Sequence, residues 1–250
     1  MSDPAKWDPR LWLESTQVTH PHATLTPAQG HYLHRVLRLT VGDPVYCVVA
    51  GELWEGYWQG GEHVTLRICL QSTPKPSRRL HLGIGVPKQG MDDLLYQLTE
   101  LGVTAITPLL TSRSVAKPEA GSQRWQRWLR IMQEAAEQSE HLTIPTLHPP
   151  QSFAAWIVGR RPLWIAEARH MAPPLLERLL TTPPITELTL ATGPEGGWTE
   201  EELTLALQHG AELVSLGRGI LRAVTAPVVA ASLVSAWEAH DPQSDDRSSG

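Results

Sequence analysis

Leu188-Thr189-Leu190-Ala191-Thr192-Gly193-Pro194-Glu195-Gly196-Gly197-Trp198-Thr199-Glu200-Glu201-Glu202 is the most informative stretch of this 250-residue chain. Its apolar opening, Leu188 to Thr192, reads as a strand. A glycine loop follows. Thr199, with Glu202 three residues later, then forms a capping box that opens a helix. Strand, glycine loop and helix in that order belong to an α/β domain. Glycines let backbone groups approach a ligand closely, and open α/β sheets bind ligands beyond the carboxyl ends of their strands. A tight βα turn with no ligand would carry the same residues.

The rhythm continues on both sides. Downstream, Leu213 to Leu216 reads as a strand. Gly217-Arg218-Gly219-Ile220-Leu221-Arg222 is a second glycine loop, and Thr225 to Ala239 is a helix with Pro227 in its first turn. If the two strands are parallel, both loops meet at one sheet edge, and Arg218 and Arg222 bring positive charge there. Upstream, Leu80 to Val86, Val103 to Leu109 and Leu163 to Ala166 read as strands, with Leu142 to Leu147 a weak one. Met91, Leu94, Leu95, Leu98 and Leu101 share one helical face, which Gly102 ends. Ser122 caps a long helix containing Trp125, Leu129, Met132 and Ala136. Ser152 to Val158 and Pro174 to Leu180 are shorter helices. Residues 80–240 are therefore expected to form an α/β domain with a mainly parallel sheet.

Before Leu80 the pattern differs. Residues 73–79 lose all alternation and carry prolines and charge, as a linker does. Residues 1–72 read as a small β-rich unit with one helix. Thr26-Pro27-Ala28-Gln29 combines an N-cap, a proline at the first helical position and a capping glutamine. Leu33, Val36 and Leu37 continue its spacing. Val45 to Ala50 and Leu53 to Trp58 read as strands. Val64, Leu66, Ile68 and Leu70 alternate with polar residues, as in a strand with one wet face. Short strands joined by glycine turns suggest a small barrel. Asp241 to Gly250 is polar and expected to be disordered.

Lys and Arg number 21 against 26 Asp and Glu, a net charge of −5. A uniformly basic nucleic-acid binder is excluded, but a local basic patch is not. Residues 1–79 carry +1 and residues 80–250 carry −6. Cys47 and Cys69 are too few for a disulfide framework or a four-thiolate metal site. Both sit in apolar runs and are expected to be buried. No run of 18 apolar residues predicts a membrane span, and Met1 to Leu13 lacks the apolar core of a signal peptide. A cytoplasmic location follows as the default.

Several chemistries fail on spacing. Gly83-Ile84-Gly85 follows a strand, but Lys88 stands where a dinucleotide fingerprint needs its third glycine. No phosphate-binding Gly-x-x-x-x-Gly-Lys-Ser/Thr exists, and no Gly-x-Ser-x-Gly of a serine hydrolase. His20/His22 and His31/His34 have no carboxylate at a metal-ligand spacing, so no metal is expected.

Taken together, five segments resemble one family. They are His31-Tyr32-Leu33 with Val36-Leu37-Arg38-Leu39 and Gly42-Asp43; Thr99-Glu100-Leu101-Gly102-Val103 with Pro108 and Ser112-Arg113-Ser114-Val115; Glu134-Ala135-Ala136-Glu137-Gln138-Ser139 with Ile144-Pro145; Gly193 to Gly197; and Leu216-Gly217 with Ile220-Leu221-Arg222 and Thr225-Ala226. Their order and spacing over residues 10–238 resemble the RsmE family, the 16S rRNA uridine N3-methyltransferases of the SPOUT (trefoil-knot) superfamily. The resemblance implies a trefoil-knotted α/β domain behind a PUA-like, RNA-binding β-barrel. It implies a homodimer acting on 16S rRNA of the small ribosomal subunit.

The resemblance also implies S-adenosyl-L-methionine as cofactor, held by Leu190, Thr192, Gly193, Pro194, Glu195, Gly196 and Gly197 of the first loop and by Leu216, Gly217, Ile220, Leu221, Arg222, Thr225 and Ala226 of the second. Arg222 is the expected catalytic cation. Glu195 is a candidate proton acceptor or a structural carboxylate of its loop. Arg10, Arg35, Arg38, Arg78 and Arg79 are candidate RNA phosphate contacts. Three positions depart from the family pattern: Val224 stands in place of Glu, Gln97 of Lys and His141 of Arg. They motivate an alternative, a non-catalytic RNA-binding assembly factor. A second alternative is a SPOUT enzyme that methylates ribose 2′-hydroxyls.

Overall fold

A computed structural model describes residues 10–72, 79–183 and 185–240. The linker residues 73–78, Arg78 among them, and the tail 241–250 lie outside the described residues. The chain divides into two compact units, Met1–Lys75 and Pro76–Gly250.

The first unit is one mixed sheet. Its strands are β1 (Arg10–Leu13), β2 (Val18–Thr19), β3 (His22–Thr24), β4 (Pro44–Val49), β5 (Glu52–Gly60) and β6 (His63–Ser72), in the spatial order β1-β4-β5-β6-β3-β2. Leu11, Leu13, Ala23, Val45, Cys47, Val49, Trp58, Val64 and Leu66 point into one core. Helix α1 (Pro27–His31) closes that core with Leu33 just beyond it. Its cap forms as the sequence predicts: Gln29 N–H donates to Thr26 Oγ1, and Thr26 N–H donates to Gln29 Oε1.

Three expectations for this unit need correction. The helix widens into a π-type turn over Tyr32–Val36, which Leu37 N–H closes onto the Tyr32 carbonyl. The wider turn carries Val36 into solvent, where it is 61% exposed. Arg35 lies on this turn, but Arg38 does not: it has left the helix at φ 57°. Alternation along β6 also ends after Leu66, and Ile68 and Leu70 are exposed. Among the described residues that half of the strand pairs only with a bulged β5 and is left uncovered. Cys69 is therefore exposed, whereas Cys47 is buried and its thiol pKa is pushed up to about 12 by burial.

The second unit has three layers. Its elements are β7 (Arg79–Gly85), α2 (Met91–Glu100), β8 (Ala105–Leu110), α3 (Gln123–Gln138), β9 (Thr146–Leu147), β10 (Gln151–Ser152), α4 (Phe153–Trp156), β11 (Leu163–Ala166), α5 (Leu175–Thr181), β12 (Glu187–Thr192), α6 (Glu200–Gln208), β13 (Glu212–Val214) and α7 (Thr225–His240). All described pairings in its sheet are parallel, in the order β10-β8-β7-β12-β11-β13. Residues along each strand alternate between faces. Leu82, Ile84, Leu190 and Trp164 meet α2, α3, α5 and α7 on one face. Ile165, Ala191 and Leu109 meet α4 and α6 on the other. On α3 the buried residue is Trp128, not Leu129, which is 39% exposed. The stripe Trp125, Trp128, Met132 and Ala136 spans two aromatic rings, and Leu129 falls at its edge.

Late strands enter the middle of this sheet. β12 pairs with β7, and α7 returns from the edge strand β13 to pack on β7 and β12. Four βα loops, after β7, β11, β12 and β13, therefore gather at the carboxyl ends of the central strands.

A polar cluster lies in the same sheet on the α4 face. His81 Nδ1 faces an Arg160 guanidinium nitrogen at 3.0 Å, and Nε2 lies 2.7 Å from Thr107 Oγ1. Arginine can only donate, so Nδ1 accepts and the Nε2–H donates to Thr107. Burial, then the charge of Arg160, then that of His148, push the His81 pKa down to about 3. The unfolded chain therefore binds a proton below pH 6.5 that the fold rejects. Stability is full above that pH. It should fall as pH drops from 6.5 toward 3, with a limiting slope of about 1.4 kcal/mol per pH unit. Denaturant titrations at pH 7.5, 6 and 5 check this, and His81→Gln should flatten the profile.

Candidate functional site

The four loops enclose a cavity of about 590 Å³. This is the volume of a small-molecule site, placed where a parallel sheet offers one. The loop after β7 supplies Lys88 and Gln89, that after β11 supplies Glu167 and Arg169, that after β12 supplies Gly193 and Pro194, and that after β13 supplies Leu216, Gly217 and Gly219 to Val224. Arg218, expected at this edge, is exposed and does not line the cavity.

Backbone proximity shapes the floor. A Cβ on Gly85 would lie 2.5 Å from Pro194 N and Cδ and 2.8 Å from the Gly193 carbonyl carbon. Only glycine lets β7 and the β12 loop come this close. Gly197 takes φ 68°, turning the loop so that its N–H donates to the Pro194 carbonyl at 2.8 Å.

Side chains then fix the loop from outside. One Arg113 nitrogen donates to the Gly196 carbonyl (2.7 Å) and to the Trp198 carbonyl (2.9 Å). Trp198 Nε1 donates to the Ala166 carbonyl at 3.0 Å, tying the β12 loop to the end of β11. Its ring packs on Phe153. Glu202, 8% exposed, accepts from Thr199 N–H and also from Ser112 N–H, so the predicted capping box doubles as a tie between loops.

The charged groups divide into two kinds. Both carboxylates at the cavity already hold backbone: Glu195 Oε1 accepts Lys88 N–H at 2.9 Å, and Glu167 Oε1 accepts Arg169 N–H at 2.6 Å. Lys88, Arg169 and Arg222 supply positive charge around the same space. The Arg222 carbonyl accepts the N–H groups of Thr225 and Ala226, both at 2.9 Å, which starts α7 and leaves the side chain exposed. Thr192 Oγ1 is buried, lines the cavity and has no partner among the described residues. Burying a hydroxyl without a hydrogen bond costs about 1–3 kcal/mol, which a bound ligand atom would relieve.

Of the residues singled out in the sequence, Thr192, Gly193, Pro194, Glu195, Gly197, Leu216, Gly217, Ile220, Leu221, Arg222 and Ala226 line this cavity. Leu190 instead packs in the core, Gly196 sits under Arg113, and Thr225 begins α7. Arg10, Arg35 and Arg38 belong to the first unit and Arg79 to the start of β7, none at the cavity. Sequence reading missed Lys88, Gln89, Glu167, Arg169 and Trp198. The charged run Glu167-Ala168-Arg169-His170 directly after a strand was the available signal, since its loop had to emerge at the same edge. Of the departures, Val224 lines the cavity beside Gly90, Gln97 is exposed on α2, and His141 Nε2 donates to the Glu100 carbonyl at 3.0 Å near the end of α2. Among the described residues no group of three or more His, Cys, Asp or Glu is arranged to hold a metal ion, and no helix is long and apolar enough to cross a membrane.

The RNA methyltransferase domain family matches residues 73–235. The ribosomal RNA small subunit methyltransferase E of Synechocystis is 38% identical over 235 residues, covering 91% of this chain and 77% of that one. The chain belongs to the ribosomal RNA small subunit methyltransferase E family. A Legionella pneumophila protein, solved in complex with the bound cofactor SAM, is 25% identical with a TM-score of 0.75, covering 92% of this chain and 98% of that one. The methyltransferase E of Neisseria gonorrhoeae, bound to S-adenosyl methionine, shares the fold at 24% identity with a TM-score of 0.75 and the same coverage. The methyltransferase E fold is thus of the SPOUT class: a trefoil-knotted α/β domain preceded by a small, PUA-like barrel sheet. Knots are nearly absent from proteins, which is why strand periodicity by itself predicts only the α/β class.

Proposed function

We propose that this chain transfers the methyl group of S-adenosylmethionine to N3 of a uridine in small-subunit rRNA. The carrying observation is the cavity itself: glycine-shaped backbone, a buried hydroxyl without a partner and three cations, all at the carboxyl edge of a family member's sheet. These residues fit the cofactor. Thr192 Oγ1 offers it a hydrogen bond. The backbone of Gly193, Leu216, Gly217 and Leu221 would hold it, and Ile220 and Trp198 would supply apolar wall. When bound, S-adenosylmethionine supplies a methyl group already activated by a sulfonium.

The protein's remaining task concerns uracil. N3 holds a proton and lies on the Watson–Crick edge, so the base must be unpaired or extruded. The cavity then has to align N3 with the methyl carbon and favour the ring anion left when the proton departs. Arg222, with Arg169 from the neighbouring loop, places positive charge for the ring oxygens. Glu195, engaged with Lys88 N–H, serves to hold the loop. The alternation of its two oxygens between that bond and the N3 proton would make it the acceptor as well.

A homodimer is part of this reading. α7 is apolar around most of its circumference, with Val229 and Leu233 half-buried as well as Ala230, Ala231 and Val234 fully buried. A helix apolar on all sides normally has cover on all sides. The substrate also argues for a cytoplasmic location and for RNA contacts by Arg10, Arg35, Arg38, Arg78 and Arg79.

The test is methyl transfer from labelled S-adenosylmethionine to small ribosomal subunits lacking the modification, followed by nucleoside analysis. 3-Methyluridine is the expected product. A 2′-O-methylnucleoside would make the protein a ribose methyltransferase. Cofactor binding with no transfer would make it an assembly factor and give functional weight to Val224, Gln97 and His141.

A further inference from the structure

A second cavity, of about 700 Å³, lies beside the first and shares Lys88 and Gln89 with it. Its other wall is the first half of α3, where Arg124, Arg127 and Arg130 all line it. Arginines three apart on an α-helix rise about 4.5 Å each and drift slowly around the axis, so they form one slanting row. This row stands in the unit whose stretch of sequence carries the chain's whole negative excess, so its charge is local.

The acidic groups facing it are accounted for. Asp92 Oδ1 accepts Trp128 Nε1 at 2.9 Å and Oδ2 pairs with Arg127 at 2.9 Å. Asp93 lies exposed at the rim. Arg124 rests over the Trp128 ring, 5.1 Å from its centroid. Among the described residues neither Arg124 nor Arg130 has a carboxylate within ion-pair distance. Lys88 and the three arginines therefore outweigh the two carboxylates by two charges, and two guanidinium groups are left with no anion. Asp92 and Trp128 hold the row in place without neutralising it.

We propose that Arg124, Arg127 and Arg130, with Lys88 as the link to the cofactor cavity, bind the phosphates of the RNA strand next to the target nucleotide. Guanidinium groups suit this task because their planar fork matches phosphate oxygens. The extruded base would enter the first cavity while its flanking backbone lies in the second. Contacts of this type position a strand and carry no sequence information. The proposal rests on the rRNA-methyltransferase reading, and it assigns to α3 a role that the arginines expected from sequence do not cover.

The experiment compares the full chain with Arg124→Gln/Arg130→Gln, which leaves the Arg127–Asp92 pair intact. Binding to small ribosomal subunits lacking the modification is measured over a range of salt, with S-adenosylmethionine affinity and thermal melting alongside. Loss of two phosphate contacts should lower the salt slope by about 1.4, at about 0.7 per phosphate on a single strand. KM for the subunit should rise several-fold with kcat at saturation retained. Cofactor affinity and melting should not change, and Arg124→Lys/Arg130→Lys should recover the slope. An unchanged slope in the Gln variant, with wild-type chain binding subunits, overturns the arginine row and leaves the function standing. A weaker but salt-independent interaction also overturns it. Wild-type chain that neither binds nor methylates subunits overturns both readings together.

Discussion

Alanine at Gly85 should abolish tight cofactor binding, lowering affinity for S-adenosylmethionine at least tenfold. The added methyl would sit 2.5 Å from the nitrogen and Cδ of Pro194 and 2.8 Å from the carbonyl carbon of Gly193. Those are backbone and ring atoms, with no flexible end to swing aside. β7 and β12 are hydrogen-bonded neighbours up to Ile84 and Thr192, so the strands cannot separate to make room. The loop must move instead, and it is held from the far side by Arg113 and Trp198. A displacement of about 1 Å in such a site can cost about a hundredfold in rate. Overpacking should also lower stability by about 1–3 kcal/mol. Calorimetric titration with the cofactor and a thermal melt measure both quantities. Wild-type affinity in Gly85→Ala would mean that the β12 loop does not touch the ligand.

Removing the Arg222 side chain should be the more selective lesion. Arg222→Ala is expected to reduce single-turnover methyl transfer by about 10²–10³-fold, the range for deleting one donor to a developing oxyanion. Cofactor affinity should stay within a few-fold of wild type. The main chain of Arg222 starts α7 through two hydrogen bonds that the substitution leaves in place. Lysine should restore part of the rate by its charge and not the geometry of the fork. If only KM for the ribosomal subunit rises, Arg222 is a phosphate contact, and the stabilising charge must come from Arg169.

The sequence made the second unit legible almost element by element because its rules are local. Ser122 and Thr199, like Thr26 in the first unit, announce helix starts by their own chemistry, and each caps its helix in the structure. The two glycine loops sit where strand periodicity puts them. What stayed hidden depends on partners distant in sequence. Val36 is solvent-exposed because of a single π-type turn, and Cys69 because β6 outruns its cover. Arg169 and Lys88 reach the cavity only because β11 and β7 flank β12, an order that no periodicity encodes. The family resemblance supplied the knot; pattern reasoning stopped at a parallel α/β sheet.

The placement of β12 also constrains when the protein can work. This strand pairs with β7 across about 100 residues of intervening chain, register by register from Arg79 opposite Glu187. The last helix then has to cover both. During synthesis the first half of the sheet must wait with one edge of β7 open until the final quarter of the chain emerges. Distant parallel pairing of this kind is slow and leaves unpaired edges exposed to other chains. A nascent chain stalled before residue 187 has no ligand pocket at all. Catalytic competence is thus all-or-none with respect to translation, and truncated products of this gene would be inert yet prone to aggregate.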